Sequence, residues 1–179
     1  MTEMLEVPGN QNAAEMDSLK LFLVDESSTD ALGAQIAPLL ASGMVIFLSG
    51  HLGAGKTSLA RAMLRALGFS GKVKSPTYTL VELYTVSRLN LYHFDFYRFH
   101  DPHEWTEAGF RDLFNEDNIC LVEWPEKADG LLPAADLTIH LQIRGSGREA
   151  EITAGSEQGR TCLQELAKHY GSLSSREST

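Results

Sequence analysis

Cysteine is scarce in this 179-residue sequence, which contains only Cys120 and Cys162. Cys120 lies within an apolar run, Cys162 lies beside a predicted helix, and no CxxC pair is present. This usage excludes a disulfide-rich scaffold and is typical of a protein from a reducing compartment. A single domain of this length can bury a hydrophobic core without disulfides.

Long hydrophobic runs are also missing. No apolar stretch approaches the roughly 20 residues that a membrane-spanning helix needs. Residues 1–18 lack the basic and then apolar pattern of a secretory signal. We therefore expect a cytoplasmic protein that does not associate with membranes.

Positive charge is in deficit, with 15 Lys and Arg residues against 24 Asp and Glu residues and a formal net charge of −9. Proteins that bind nucleic acid tightly by themselves usually carry a basic patch. Lys72 and Lys74 come nearest to one, and two loop lysines are usually only solvated. We therefore expect no tight binding of RNA or DNA by this chain alone.

What the sequence does contain is an unbroken match to the phosphate-binding loop pattern G-x-x-x-x-G-K-[ST] at residues 50–57. The apolar run 44–48 before it predicts a buried strand, and apolar residues from Leu59 to Leu67 repeat at helical spacing until Gly68. Strand, loop and helix thus follow in the order that such a loop requires. A turn that merely joins strand to helix has no need of the Lys-Thr pair.

The loop predicts a site for a phosphate chain. Its glycines let the backbone turn tightly and point N–H groups at an anion, which also meets the positive end of the following helix. Lys56 can reach the terminal phosphates, and the Thr57 hydroxyl is placed to bind Mg²⁺. The predicted nucleotide-binding residues are Gly50, His51, Leu52, Gly53, Ala54, Gly55, Lys56, Thr57 and Ser58.

The remaining pattern predicts an α/β fold, a P-loop NTPase-like three-layer sandwich with a central mixed sheet and flanking helices. We expect a flexible N-terminal arm at 1–18, one domain at 19–170 and a disordered tail at 171–179. Strands are predicted at 19–24, 44–48, 78–84, 90–99, 119–122, 137–143 and 149–154, with hairpins joining the third to the fourth and the sixth to the seventh. Other helices are predicted from a cap at 28–30 to about Pro38, over 101–114 and over 161–170.

Magnesium at a phosphate loop needs an acidic partner at the end of a neighbouring strand. Two acids qualify, Asp95 after residues 91–94 and Glu123 after residues 119–122. The alternation of residues 92–97 predicts one packed face and one polar face that carries His93, Asp95 and Tyr97. The pattern leaves open whether either acid reaches the metal, or whether Asp95 is solvated and Glu123 is in an ion pair.

Other candidates have ordinary structural explanations beside the chemical ones. His93 is expected to be a hydrogen-bonded structural residue, and Trp124 fits either packing or a lid over the site. Positive charge for a phosphoryl-transfer transition state could come from Arg98, Arg111 or Arg160, although surface ion pairs are the commoner fate of arginines.

Two subclasses of loop protein are disfavoured. A GTPase needs N/T-K-x-D after a late strand, where this chain has Glu-Lys-Ala-Asp at 126–129. A small-molecule kinase usually has an arginine-rich lid, and the sequence has no such cluster. ATP hydrolysis is the better interpretation; the alternatives are a small-molecule kinase and a non-catalytic module whose binding depends on nucleotide.

Four stretches together resemble the TsaE (YjeE) family: the loop at 50–57, V-K-S-P-T-Y at 73–78, Y-H-F-D-F-Y-R at 92–98 and V-E-W-P-E at 122–126. Their order and spacing match that family over roughly residues 20–155. His51 stands where the family usually has an acid and Tyr78 where it usually has Phe. Both departures leave the backbone of the loop intact.

The resemblance implies an ATPase of the bacterial machinery that installs the threonylcarbamoyl group on tRNA adenosine 37 (t6A). Such a protein hydrolyses ATP only weakly by itself and works with the transferase subunits TsaD and TsaB, which hold the tRNA. Its ATP hydrolysis supports turnover of that complex rather than activating the carbamoyl donor. ATP and Mg²⁺ would be its cofactors, and we expect a monomer in isolation.

The resemblance also implies roles for residues. Lys56 and Thr57 would hold the phosphates and Mg²⁺, and Asp95 and Glu123 would complete the metal and water site. Trp124 would lie close to the terminal phosphate. A switch-like segment that senses this phosphate would contain Ser75 and Thr77.

Overall fold

In the computed structural model of the protein, which describes residues 16–128 and 130–174, seven strands form one sheet in the order β1-β7-β6-β2-β5-β4-β3. The strands in chain order are β1 Ser18–Leu23, β2 Val45–Ser49, β3 Val81–Val86, β4 Leu89–Asp95, β5 Asn118–Glu123, β6 Leu137–Arg144 and β7 Gly147–Ala154. The α-helices described are α1 Glu26–Ile36, α2 Lys56–Ala66, α3 Glu104–Glu107 and α4 Glu157–Ser174.

The sheet is mixed, as the sequence predicts. Strand β2 pairs in parallel with β5 and β6, and β4 pairs in parallel with β5. Both predicted hairpins are present as the antiparallel pairs β3–β4 and β6–β7. The parallel strands β2, β4 and β5 end at the same edge of the sheet, which is where the loop at residues 50–55 begins.

The sheet separates two hydrophobic cores, which gives the predicted three-layer arrangement. Successive residues of β5 alternate between them, with Ile119 and Leu121 in one core and Cys120 and Val122 in the other. Helices α1, α2 and α4 contribute to the first core. The second core is mainly aromatic and includes Trp105.

The prediction of one continuous helix at 101–114 is wrong. The segment forms the short helix α3 and then a 3-10 turn at Phe110–Leu113. Gly109 lies between them with a φ of 72°, in the left-handed region, and so interrupts the helix. Ala108, next to this break, is exposed, whereas Trp105 in α3 is buried.

The polar face predicted for β4 is wrong as well. His93 and Asp95 are only 0% and 3% exposed. The reason is the position of the strand, since β4 lies between β3 and β5 and both faces of the sheet are covered there. Alternation along one strand does not reveal which neighbours the strand will acquire.

Helix boundaries differ from the prediction where capping side chains act. Asp25 rather than a residue of 28–30 caps α1, because its carboxylate accepts a hydrogen bond from Ser28 N at 2.8 Å. The helix ends at Ile36, before Pro38, as predicted. Ser156 Oγ accepts a hydrogen bond from Gly159 N at 3.0 Å, so α4 begins earlier than expected.

Parts of the two predicted terminal segments are included in the structure. Helix α4 runs past the domain boundary predicted at 170, and the rest of the predicted tail, 175–179, lies outside the described residues. Residues 1–15 of the predicted arm also lie outside them. The last part of that arm contacts the domain, since Asp17 O accepts a hydrogen bond from Ala154 N at 3.0 Å.

Within residues 16–128 and 130–174, no helix is both long enough and apolar enough to traverse a bilayer.

The contact between α1 and α2 depends on Gly33. A Cβ added at this position would lie 2.4 Å from the Cβ of Ala62, so we expect Gly33→Ala to lower the free energy of unfolding by roughly 1–3 kcal/mol. The matched control is Gly171→Ala in α4, where an added Cβ meets no atom of the described residues within 4 Å and alanine favours the helix. Urea denaturation of both variants measures the difference; equal stability would contradict the close packing.

Candidate functional site

The loop at residues 50–55 joins the end of β2 to the start of α2. Gly50 has a φ of 133°, and a Cβ added to it would lie 2.2 Å from the carbonyl oxygen of Leu141 in β6. Only glycine fits this contact, so the start of the loop is pressed against the neighbouring strand. The free N–H groups of the first turn of α2 and the positive end of its dipole therefore face the loop.

Lys56, the first residue of α2, is only 4% exposed. Its Nζ donates hydrogen bonds to the carbonyl oxygens of Gly50 at 2.6 Å and His51 at 2.9 Å. Burial lowers the pKa of the Lys56 ammonium, and nearby carboxylates, first that of Glu123, oppose this shift. The loop thus folds around a buried cation that can be redirected toward an anion.

Thr57 is hydrogen-bonded to Glu123, one of the two candidate acids. Its Oγ1 donates to the Glu123 carboxylate, at 2.9 Å from Oε1 and 3.2 Å from Oε2. The Glu123 side chain is also 2.8 Å from Nε2 of His93, which lies on the adjacent strand β4. His93 is therefore hydrogen-bonded, as expected, and it orients the carboxylate toward the loop.

Asp95 ends β4 in register with Glu123, which ends β5. Asp95 Oδ2 accepts a hydrogen bond from Thr77 Oγ1 at 3.0 Å, and Oδ1 accepts one from Tyr97 N at 2.9 Å. The Thr77 hydroxyl is 2.8 Å from that of Ser75. Burial raises the pKa of Asp95, and the carboxylate of Glu123 adds to this effect, although hydrogen bonds to Asp95 oppose it.

The Trp124 ring packs against the Lys56 ammonium. The φ of Trp124 is 57°, a conformation that a bulky residue rarely adopts, and the chain therefore turns sharply after β5. The Trp124 ring centroid lies 4.2 Å from Lys56 Nζ and 5.0 Å from the ring centroid of Tyr97. Trp124 is thus in contact with the loop lysine as well as with packed neighbours.

These side chains surround a cavity of about 300 Å³. It is lined by Leu52, Gly53, Gly55, Lys56, Thr57, Ser58, Ser75, Thr77, Asp95, Tyr97, Glu123, Trp124 and Arg148. Of the predicted site residues, Gly50, His51 and Ala54 do not line it, although the first two supply the carbonyls that hold Lys56. The segment at 75–77 and both acids therefore lie next to the loop.

The sequence analysis considered Arg98, Arg111 and Arg160 and did not single out Arg148, which lines the cavity. Arg98 lies over the ring of Tyr78 at 4.2 Å, Arg111 lies 5.7 Å from the ring of Trp105, and Arg160 pairs with Asp17. None of these three lines the cavity. Arg148 follows a Gly-Ser-Gly turn near the start of β7, and no motif marks it because the pairing of β6 with β2 brings it to the loop.

The chemistry of this donor set fits a phosphate chain with a hard divalent cation. Lysine, arginine and helix N–H groups attract phosphate oxygens. A hydroxyl and two carboxylates are oxygen ligands of the kind that Mg²⁺ takes. Gly53 borders open space in the cavity, since an added Cβ there would meet no atom of the described residues within 4 Å.

Comparison with known proteins gives consistent results. The family model described as "Threonylcarbamoyl adenosine biosynthesis protein TsaE" matches residues 23–151. The tRNA threonylcarbamoyladenosine biosynthesis protein TsaE of Haemophilus influenzae is 42% identical over 153 residues, which are 83% of this chain and 97% of that protein. The protein of the same name from Bacillus subtilis is 34% identical over 155 residues, covering 86% and 97%.

A solved structure is similar to this chain along most of its length. The crystal structure of Bacillus subtilis YdiB superposes with a TM-score of 0.74 at 30% sequence identity. The match covers 87% of this chain and 98% of the YdiB chain.

The raised pKa of Asp95 predicts that Asp95→Asn stabilises the protein at neutral pH. Because the folded state holds this proton more tightly than the unfolded state, ionised Asp95 costs stability above its pKa, and the cost disappears as pH falls toward the ordinary value of 3.8. In buffer that contains a metal chelator, the variant should melt at a higher temperature than wild type at pH 7. The difference in melting temperature should shrink as the pH is lowered. The amide oxygen can accept the hydrogen bond from Tyr97 N, and the amide nitrogen can donate to Thr77 Oγ1, so that the second bond is kept with its direction reversed.

Asp25→Asn is the control of opposite sign. Hydrogen bonds from the Ser28 backbone and hydroxyl lower the pKa of Asp25, so its charge stabilises the folded state above the unfolded pKa. This variant should lose stability at pH 7. A lower melting temperature for Asp95→Asn would contradict the assigned cost of burying that carboxylate.

Proposed function

Because this chain belongs to the TsaE family, we propose that it is a Mg²⁺-dependent ATPase that supports threonylcarbamoylation of tRNA adenosine 37. Its relatives are named for threonylcarbamoyladenosine biosynthesis, which supports the pathway assignment. The proposed partners are the transferase subunits TsaD and TsaB. The net charge of −9 favours a chain that meets tRNA only through such a complex.

The observation that carries the proposal is the buried Lys56 ammonium at the base of a cavity with two strand-end carboxylates. In this arrangement Lys56 would move from the carbonyl oxygens of Gly50 and His51 to the terminal phosphates of ATP. The backbone N–H groups of the loop would bind the remaining phosphate oxygens. ATP and water would give ADP and phosphate.

Thr57, Asp95 and Glu123 are the proposed magnesium ligands, directly or through water. The metal would neutralise charge on the phosphates. Among the described residues, no group of three or more His, Cys, Asp and Glu side chains is placed to hold a metal. Phosphate oxygens of the nucleotide would therefore supply the remaining magnesium ligands. An acid that reaches the metal only through water would also orient the attacking water through a hydrogen bond.

The segment with Ser75 and Thr77 is proposed to sense the terminal phosphate. Thr77 Oγ1 donates to Asp95, so a phosphate or metal that competes for either group would break this hydrogen bond and release the segment. Trp124 would respond too, because its ring contacts the lysine that must move. Binding of nucleotide would in this way change the surface that a partner contacts.

The proposed hydrolysis predicts large losses in three variants. Thr57→Ala, Asp95→Ala and Glu123→Ala should each lower the ATPase rate by about a hundredfold or more, since each removes a group from the metal and water site. Phosphate release should be measured with and without TsaD and TsaB. The control is Glu107→Gln, an exposed residue of α3 that should keep the wild-type rate.

The outcomes separate the alternatives. Wild-type rates in the Asp95 and Glu123 variants would remove both acids from the site. Transfer of phosphate to an acceptor other than water would indicate a small-molecule kinase.

Partner binding should depend on nucleotide. Tagged protein should retain more TsaD and TsaB when purified with Mg·ATP than without it, because occupancy of the cavity would reorganise the segment at 75–77. Retention that does not change with ATP would contradict this coupling. If Glu123→Ala stopped hydrolysis yet supported full t6A formation, the chain would be a nucleotide-dependent binding module rather than an ATPase in function.

A further inference from the structure

Arg148 is the one cavity-lining arginine in the described part of the chain. It lies near the start of β7, where its backbone is paired on both sides, in register with Ile143 of β6 and Leu23 of β1. Strand β6 in turn pairs with β2, the strand that leads into the phosphate-binding loop. The position of Arg148 relative to the loop is therefore set by strand pairing on both sides of β7.

The Arg148 side chain lies against the end of the loop. A Cβ added at Gly55 would be 3.0 Å from Arg148 Nε and 3.4 Å from both Cδ and Cζ. Gly55 directly precedes Lys56, and its φ of 104° also favours glycine. The absence of a side chain at residue 55 thus lets a second cation approach the lysine end of the loop.

The guanidinium has an unmet hydrogen-bonding requirement. Arg148 Nε is buried, and no group in the described residues accepts its hydrogen. No ion pair with Asp or Glu is formed by Arg148 among those residues either, whereas Arg144 of the same hairpin pairs with Glu149 at 3.9 Å. A buried charged donor without an acceptor is costly and rare, which points to an acceptor supplied by a ligand.

We propose that Arg148 is a phosphate-binding residue of the nucleotide site, whose guanidinium donates hydrogen bonds to phosphate oxygens of the bound nucleotide. The inference rests on the proposed function, since it assigns a ligand to the same cavity. A guanidinium suits this role because it can bind phosphate through two parallel hydrogen bonds and is always charged. Arg148, from β7 of the same chain, would then bind phosphate together with Lys56.

The test is calorimetric titration of the full chain with ADP and with inorganic tripolyphosphate, each with Mg²⁺. Arg148→Gln should weaken both dissociation constants by roughly tenfold to a hundredfold, since one charge-assisted contact is lost. The matched control, Arg144→Gln, removes an exposed arginine from the same hairpin and should bind both ligands as wild type does. Thermal unfolding of each variant reports whether the fold is intact.

Two results would overturn the proposal while leaving the proposed function in place. One is a folded Arg148→Gln that binds ADP as tightly as wild type. The other is a loss for ADP with none for tripolyphosphate, which would put Arg148 on the base or ribose. If wild type itself bound neither ligand, the proposed function would fail first.

A second variant covers the case in which Arg148→Gln does not fold. Arg148→Lys keeps the charge and most of the stem that packs on Gly55 but cannot form two parallel hydrogen bonds. It should bind ADP several times more weakly than wild type, and its melting temperature should rise less on adding ADP. Unchanged affinity in a folded Arg148→Lys would contradict a phosphate contact through the guanidinium.

Discussion

Burial of the Lys56 ammonium is the interaction on which the rest of the site depends. A cation removed from water must find compensating partners, and here these are two loop carbonyls at 2.6 and 2.9 Å, the face of Trp124 and nearby carboxylates. The carbonyls face the lysine because glycine occupies position 50, where β6 leaves no room for a side chain. Loop conformation, sheet packing and charge are thus parts of one arrangement.

The two acids of the site are also placed by the packing of the sheet. Asp95 and Glu123 end adjacent parallel strands, so the sheet itself brings two carboxylates together. Each is hydrogen-bonded to a neighbouring side chain, Asp95 to Thr77 and Glu123 to His93. These contacts fix the orientation of both carboxylates, while burial raises the pKa of Asp95. A pair held in this way is unfavourable for stability alone and is suited to a cation that enters with its ligand.

The sequence was sufficient for features that are local in the chain. The loop at 50–57, its flanking strand and helix, and the acids at two strand ends could all be predicted, because a motif or an apolar run of a few residues specifies them. The mixed sheet and both hairpins followed from turns and alternation. Some failures were local, namely the helix break at Gly109 and the caps at Asp25 and Ser156. Others depended on residues far apart, as in the burial of His93 and Asp95, which follows from the place of β4 inside the sheet. Arg148 is the clearest example, since nothing near it in sequence indicates that it lies against Gly55.

A crystal structure with bound Mg·ADP tests the central arrangement most directly. If Lys56 is a buried cation held in reserve for phosphate, the diphosphate will lie within the loop at 50–57. Lys56 Nζ will then have left the carbonyl oxygens of Gly50 and His51 for a phosphate oxygen. Nucleotide bound elsewhere, or bound at the loop while Lys56 keeps both carbonyl contacts, would contradict that role for the lysine.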